Sequence, residues 1–142
     1  MSAALRAGVA SDGYLQIDGA DVASFTANGI APSGLASGNV GAKGFTGTDY
    51  NAGTKSSGTF TPDPALGNFQ YAVNGGAFTL APPANTCTMV IQITNNASAG
   101  TITTSGFTKV TGTPPTTTNG DDFFAFITRA NGFTHLAWQA LQ

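Results

Sequence analysis

Turn signals recur along this chain about every 8 to 12 residues, an interval typical of β-sandwiches and barrels. Examples are Asn74-Gly75-Gly76, Pro82-Pro83 and Ala130-Asn131-Gly132. Between them, no segment shows the three-to-four-residue apolar spacing that an amphipathic helix keeps over three turns. The sequence therefore predicts an all-β fold, and specifically an antiparallel β-sandwich of the jelly-roll type.

Residues 59–142 contain the strand patterns of this sandwich. Alternation in residues 69–73 and 77–80, on either side of an Asn-Gly-Gly turn, predicts a β-hairpin. The β-branched run at residues 89–94 predicts a central strand. Residues 100–104 and 108–111 predict two short strands joined at Ser105-Gly106.

The two closing strands, residues 122–129 and 133–142, carry large apolar side chains on both faces. Phe123 and Ile127 share one face of the first strand, and Phe124 and Phe126 lie on the other. A sheet with one covered face does not need this pattern, so a second sheet and arm, or a neighbouring chain, must cover the other side. The residues predicted to form the core or a subunit interface are Phe123, Phe124, Phe126, Phe133, Leu136, Trp138 and Leu141.

Residues 1–58 differ from the rest and are predicted to form an extended arm. Asp18-Gly19 lies between two alternating segments and predicts a small hairpin. Residues 31–57 are rich in Gly, Ser and Ala, a composition that buries too little surface to order alone. Two interpretations remain open: a flexible linker, or an arm that orders against neighbouring subunits through anchors such as Val40, Phe45 and Tyr50.

The composition limits the partners of the chain. Only 8% of its 142 residues are charged, none is Glu, and the net charge is −2. Such a surface suits packed assemblies, and its scattered Lys and Arg residues argue against nucleic acid. No apolar run reaches the roughly 18 residues that span a bilayer, and the N-terminus lacks the apolar core of a signal peptide. The chain is therefore predicted to be made and assembled in a cytoplasm, with no membrane span.

Residues that could perform chemistry are few. His135 is the one histidine, it shares a strand face with Phe133 and Ala137, and no nucleophile motif accompanies it, so a structural role is favoured. Cys87 is the one cysteine; a buried position in a strand is favoured over an intermolecular bridge. Adjacent strand residues point to opposite faces, so Asp121 and Asp122 should not share a site.

Three further carboxylates, Asp12, Asp18 and Asp21, are close in sequence and could bind a cation through loop oxygens. They lack the spacing, the glycine and the closing Glu of a calcium loop. The glycines at positions 34, 38, 41 and 44 do not match a phosphate-binding loop. The sequence predicts no catalytic residue, no cofactor site and no metal site, and hence a protein that is not an enzyme.

Several segments resemble structural proteins of tailed bacteriophages. Asp12-Gly13-Tyr14-Leu15-Gln16-Ile17-Asp18-Gly19 is similar to a short hairpin repeat of tail-fibre and appendage proteins. Residues 57–71, 78–83, 89–96 and 100–104, with the closing hairpin, are similar to a β-sandwich module that ends many such proteins. The resemblance implies a virion protein, commonly a homotrimer, whose partners are other capsid or tail proteins and a host-surface glycan.

Three functions follow as expectations. The resemblance implies a fibre or appendage component, whereas the shortness of the chain favours a capsid decoration protein. A carbohydrate-binding module is the alternative from another class, with Tyr71 and Trp138 as the side chains that would stack on sugars.

Overall fold

The computed structural model describes residues 47–141 in full and the backbone of residues 13–17, 20–26 and 29–31. The chain divides into two compact units, Met1–Phe45 and Thr46–Gln142. In the first unit, β1 (Gly13–Ile17) pairs antiparallel with β2 (Ala20–Thr26), and β2 pairs antiparallel with β3 (Gly29–Ala31). The predicted N-terminal hairpin is thus confirmed. Its Asp18-Gly19 turn and the cation candidates Asp12 and Asp18 lie outside the described residues, as does the side chain of Asp21.

The second unit contains a six-stranded and a three-stranded sheet. The six-stranded sheet has the order β10-β12-β11-β8-β6-β4, and the three-stranded sheet has the order β5-β7-β9. The bounds are β4 Tyr50–Lys55, β5 Thr59–Phe60, β6 Phe69–Asn74, β7 Phe78–Leu80, β8 Cys87–Asn95, β9 Ile102–Thr104, β10 Lys109–Thr111, β11 Asp122–Ala130 and β12 Phe133–Ala140. A single 3-10 turn, Pro64–Leu66, precedes β6 among the described residues.

From β4 to β9 the chain winds between the two sheets as a short β-solenoid. Successive strands alternate between the sheets, so that β4, β6 and β8 pair in parallel in one sheet. In the same way, β5, β7 and β9 pair in parallel in the other. Each coil therefore places one strand in each sheet, directly beside the strand of the previous coil.

A buried pair of asparagines connects two of these coils. Asn74 ends β6 and Asn95 ends β8; the two residues are in register and both are buried. The Asn74 amide donates to Asn95 Oδ1 at 2.8 Å and to the Gly100 carbonyl at 2.9 Å. The Asn95 amide donates in turn to the carbonyls of Thr116 and Thr118 at 2.9 and 3.0 Å. The pair therefore satisfies the backbone of the bends where the chain leaves the large sheet.

Glycine is needed where these bends stack on each other. A Cβ at Gly100 would lie 2.1 Å from the Ala77 nitrogen, and a Cβ at Gly76 would lie 2.6 Å from the Ser56 oxygen. The backbones of neighbouring coils thus approach too closely for any side chain at these two positions.

The core lies between the two sheets. The small sheet contributes Phe60, Phe78, Leu80 and Ile102, all buried, and the rings of Phe60 and Phe78 meet edge to face at 6.5 Å. The large sheet contributes the inward positions of its central strands, among them Met89, Ile91, Ile93, Phe123, Ala125, Ile127, Leu136 and Trp138. The apolar burial of this interior is the main stabilising term of the unit.

The structure confirms the all-β class, the central strand β8 and the closing hairpin β11–β12, which pairs over its whole length. The pairing differs from the predicted antiparallel sandwich, because both sheets of the second unit contain parallel pairs. The predicted hairpin of residues 69–73 and 77–80 is wrong. Its two strands, β6 and β7, belong to different sheets. The turn after Asn74 is hydrogen-bonded to the end of β4, through the Gly75 amide and the Lys55 carbonyl, and it carries the chain from the large sheet to the small one.

The second compact unit begins before residue 59, where the sequence placed the domain boundary. Tyr50–Lys55 forms the edge strand β4 of the large sheet, while residues 32–46 of the Gly-rich segment lie outside the described residues. Within the described residues, no helix has the length and apolar character to cross a membrane.

Candidate functional site

The outer face of the large sheet, on the side opposite the core, has an apolar centre. Register places its side chains in two rows that cross the strands. The first row runs Thr111, Ala137, Phe126, Val90, Phe69. The second row runs Gln139, Phe124, Gln92, Tyr71, Asn51.

Aromatic side chains dominate the middle of this face. Phe69 is 53% exposed, Phe126 is 41% exposed and Tyr71 is 37% exposed. Phe124 and Phe126 follow each other on β11 on the same face, with ring centroids 5.8 Å apart and ring planes inclined by 64°. Exposed aromatics clustered on one sheet face are typical of a surface that binds another molecule.

Beside the ring pair, the face has a shallow depression of about 160 Å³. Val90 and Gln92 of β8 line it between Phe124 on one side and Phe69 and Tyr71 on the other. Asp49, just before β4, borders it as well. The depression exists because β8 carries shorter side chains at the two rows where β11 and β6 carry rings.

Charged groups lie at the margins of the outer face. Lys109 of β10 is in register with His135 at one edge of the sheet, and Asp49 precedes the strand at the opposite edge. Asp122, at the start of β11, accepts a hydrogen bond from the Thr94 hydroxyl and one from the Gln92 amide at 3.5 Å. The face is thus apolar in the middle, basic at the β10 edge and acidic at the β4 edge.

The residues predicted as core or interface divide between the two sides of the large sheet. Phe123, Leu136 and Trp138 are buried in the core. Phe124 and Phe126 lie together on the outer face, and Phe133 and Leu141 are exposed towards the ends of the second closing strand. Sequence reasoning missed Phe69 and Val90 as members of the face. Their contribution depends on the parallel pairing of β6 with β8.

Trp138 cannot stack on a sugar in this fold, because only 5% of its surface is exposed. Its position on β12 points it into the core, opposite to the outward-facing residues of the same strand. Of the two aromatic side chains expected to stack on sugars, Tyr71 alone lies on a surface. The Trp138 part of that expectation is wrong.

The residues considered for catalysis have structural partners. His135 Nε2 and the Thr111 hydroxyl are 2.9 Å apart on neighbouring strands. Asp121 accepts from the Thr116 hydroxyl while Asp122 accepts from Thr94, so the two carboxylates serve different contacts, as predicted. Among the described residues, no three His, Cys, Asp or Glu side chains are grouped as a metal site would require.

Cys87 begins β8 and is half-buried against the core. Burial raises the pKa of its thiol, and the neighbouring Arg129 guanidinium offsets part of that rise. A thiol with a raised pKa is a weak nucleophile at neutral pH, because the thiolate is the reactive form. Cys87 lies in a strand, as predicted, but the predicted full burial is wrong, because the residue at the start of β8 is only half-buried.

No protein-family model matches this chain, and the comparisons with curated proteins and with solved structures gave no match.

Proposed function

We propose that this protein is a non-enzymatic structural component of a bacteriophage particle that assembles with its neighbours through the outer face of the large sheet. The observation that carries the assembly role is a pair of rows with four aromatic side chains: Phe69, Tyr71 and Phe126 are exposed, and the half-buried Phe124 lines a depression with Phe69 and Tyr71. The bacteriophage context rests on the resemblance of the hairpin repeat and of the closing module to tail-fibre and appendage proteins.

Leaving the apolar centre of this face in water costs free energy, and assembly removes that cost. Burying apolar surface stabilises an association by roughly 25 cal/mol per Å² before the costs of ordering are subtracted. Aromatic side chains with few charges near them are the composition that interface centres favour.

Phe126→Asp is expected to abolish self-association while the chain still folds. The ring is 41% exposed in the single chain, so the carboxylate meets water in the monomer but would be buried without a partner in the assembly. We expect at least a hundredfold weaker association, corresponding to roughly 3 kcal/mol. Size-exclusion chromatography measures the association, and far-ultraviolet circular dichroism checks the fold.

Leu66→Asp is the matched control for this experiment. Leu66 is 49% exposed, but it lies in the 3-10 turn and not on the outer face. The Leu66→Asp variant should therefore associate as strongly as the wild type. Equal elution of Phe126→Asp and the wild type would exclude the outer face from assembly.

Two positions in the particle fit this proposal, a tail appendage and a decoration site on the capsid. The resemblance to tail-fibre and appendage proteins favours the appendage. Immunogold labelling of purified particles with an antibody against this chain distinguishes the two by the site of the label.

Glycan binding is a second candidate, supported by Tyr71 beside Gln92 and Asn51 in one row of the face. An aromatic ring flanked by amide side chains is a common way to hold a sugar ring. Binding on a glycan array that Tyr71→Ala removes would favour this function over assembly.

A further inference from the structure

We infer that the outer face pairs with the same face of a second copy of this chain, about a twofold axis that runs parallel to the strands. This inference rests on the proposed function and adds to it the partner, the symmetry and the contacts. The twofold reverses the strand order of the partner, so that β10 faces β4, β12 faces β6 and β11 faces β8. The rows that cross the sheet keep their positions.

This arrangement sets aromatic rings against side chains without rings. In the first row, Phe126 faces the partner's Val90, and Phe69 faces the partner's Ala137. In the second row, Phe124 faces the partner's Gln92. The Phe124–Phe126 ring pair of each copy then enters the depression of about 160 Å³ over β8 of the other copy. Two sheets that pack face to face need this kind of interdigitation.

The other face-to-face twofold, perpendicular to the strands, fits poorly. It keeps the strand order and reverses the rows, so that Phe126 meets the partner's Phe124 and Phe69 meets the partner's Tyr71. Rings would then oppose rings while Val90 opposed Gln92, which leaves gaps over β8. This axis would also place the basic β10 edge of one chain opposite the basic β10 edge of the other, so that like charges face each other.

Charge favours the axis parallel to the strands. With that axis, the β10 edge of one copy lies over the β4 edge of the other, and Lys109 lies one row, roughly 7 Å along the strands, from the partner's Asp49. This approach of opposite charges occurs twice because the interface is isologous. Both residues are exposed in the single chain. Opposite charges at the rim of an apolar centre select the register of the two sheets.

The size of the face is sufficient for such a pair. A standard interface uses roughly 20 to 30 residues on each side. The outward positions of six strands, with the loops at their ends, approach the lower end of that range. A ring of three copies would use the face differently, because it needs two dissimilar surfaces on each chain.

Charge reversal in two separate chains tests the pairing. Lys109→Glu alone sets like charges against Asp49 twice, and Asp49→Lys alone does so against Lys109. Each variant should therefore pair at least tenfold more weakly than the wild type at low salt. An equimolar mixture of the two should recover wild-type affinity as a one-to-one heterodimer, because both contacts then join opposite charges. Sedimentation velocity measures all three samples.

The doubly substituted chain, Lys109→Glu with Asp49→Lys, is the control for damage to the fold, and it should pair with itself as the wild type does. A mixture that stays as weakly paired as its components would overturn the twofold register. A wild-type mass of three chains would overturn the twofold while leaving assembly through this face intact. A wild type that stays monomeric would remove the proposed assembly itself, and glycan binding by that monomer would identify the occupant as a sugar.

Discussion

Asn74→Ala is expected to lower the free energy of unfolding by about 3 kcal/mol, since each buried polar group left without a partner costs about 1–3 kcal/mol. The substitution removes the donor to Asn95 Oδ1 and to the Gly100 carbonyl, and the acceptor for the Gly100 amide at 3.2 Å. The Asn95 oxygen and the Gly100 backbone groups lie between neighbouring coils of the solenoid, where the backbones are in close contact. The loss is large against the 5–15 kcal/mol or so that a domain has in total.

Urea denaturation followed by fluorescence measures this loss, because Trp138 is the one tryptophan of the chain and is buried in the core. All samples need one protein concentration, since assembly adds stability by mass action. Asn96→Ala is the matched control. The Asn96 side chain accepts one exposed hydrogen bond, from the Ser98 amide at 2.8 Å, so its loss should cost about 1 kcal/mol or less. Equal losses in the two variants would contradict the role of the asparagine pair.

Trp138→Ala is expected to destabilise the unit by about 3–5 kcal/mol, the usual cost of removing a large aromatic from a core. Trp138 is buried on the inner side of β12, opposite Ala125 of β11 in register. The space it leaves lies between the two sheets and cannot close without moving the closing hairpin. Urea denaturation followed by circular dichroism gives the free energy of unfolding.

Phe133→Ala is the control on the same strand. Phe133 is 52% exposed on the opposite face, so its removal should cost about 1 kcal/mol or less. If Trp138→Ala were as stable as Phe133→Ala, Trp138 would not be part of the core and a surface role for it would return.

The sequence predicts the strands of this fold better than it predicts their partners. Alternation of apolar and polar residues predicts a strand with one buried face, as in β6. The same alternation occurs in parallel and in antiparallel sheets, so it does not predict the direction of the neighbouring strand. Asn74-Gly75-Gly76 has the composition of a hairpin turn and instead carries the chain between sheets. One sequence signal of the solenoid is the asparagine at the end of both β6 and β8, Asn74 and Asn95, which are neighbouring strands of the large sheet. The equivalent position of β4 is Lys55, so the asparagine does not repeat in all three coils.

Only the part of the candidate site that lies on a single strand, β11, was predictable from the sequence. The fixed period of a strand places Phe124 and Phe126 on the face of β11 opposite Phe123 and Ile127. The pattern does not say which of these faces is turned outward. Phe69 and Val90 join them through pairings between segments far apart in sequence. Such pairings are set by the packing of the whole unit, and a single strand pattern does not contain them.

The mass of the full chain in solution tests the central claim, that the outer face of the large sheet is covered by a second copy. Sedimentation equilibrium over a range of micromolar concentrations measures it directly. We expect a mass twice the 14.3 kDa of one chain, falling to 14.3 kDa on dilution. A mass of 14.3 kDa at every concentration would contradict the claim.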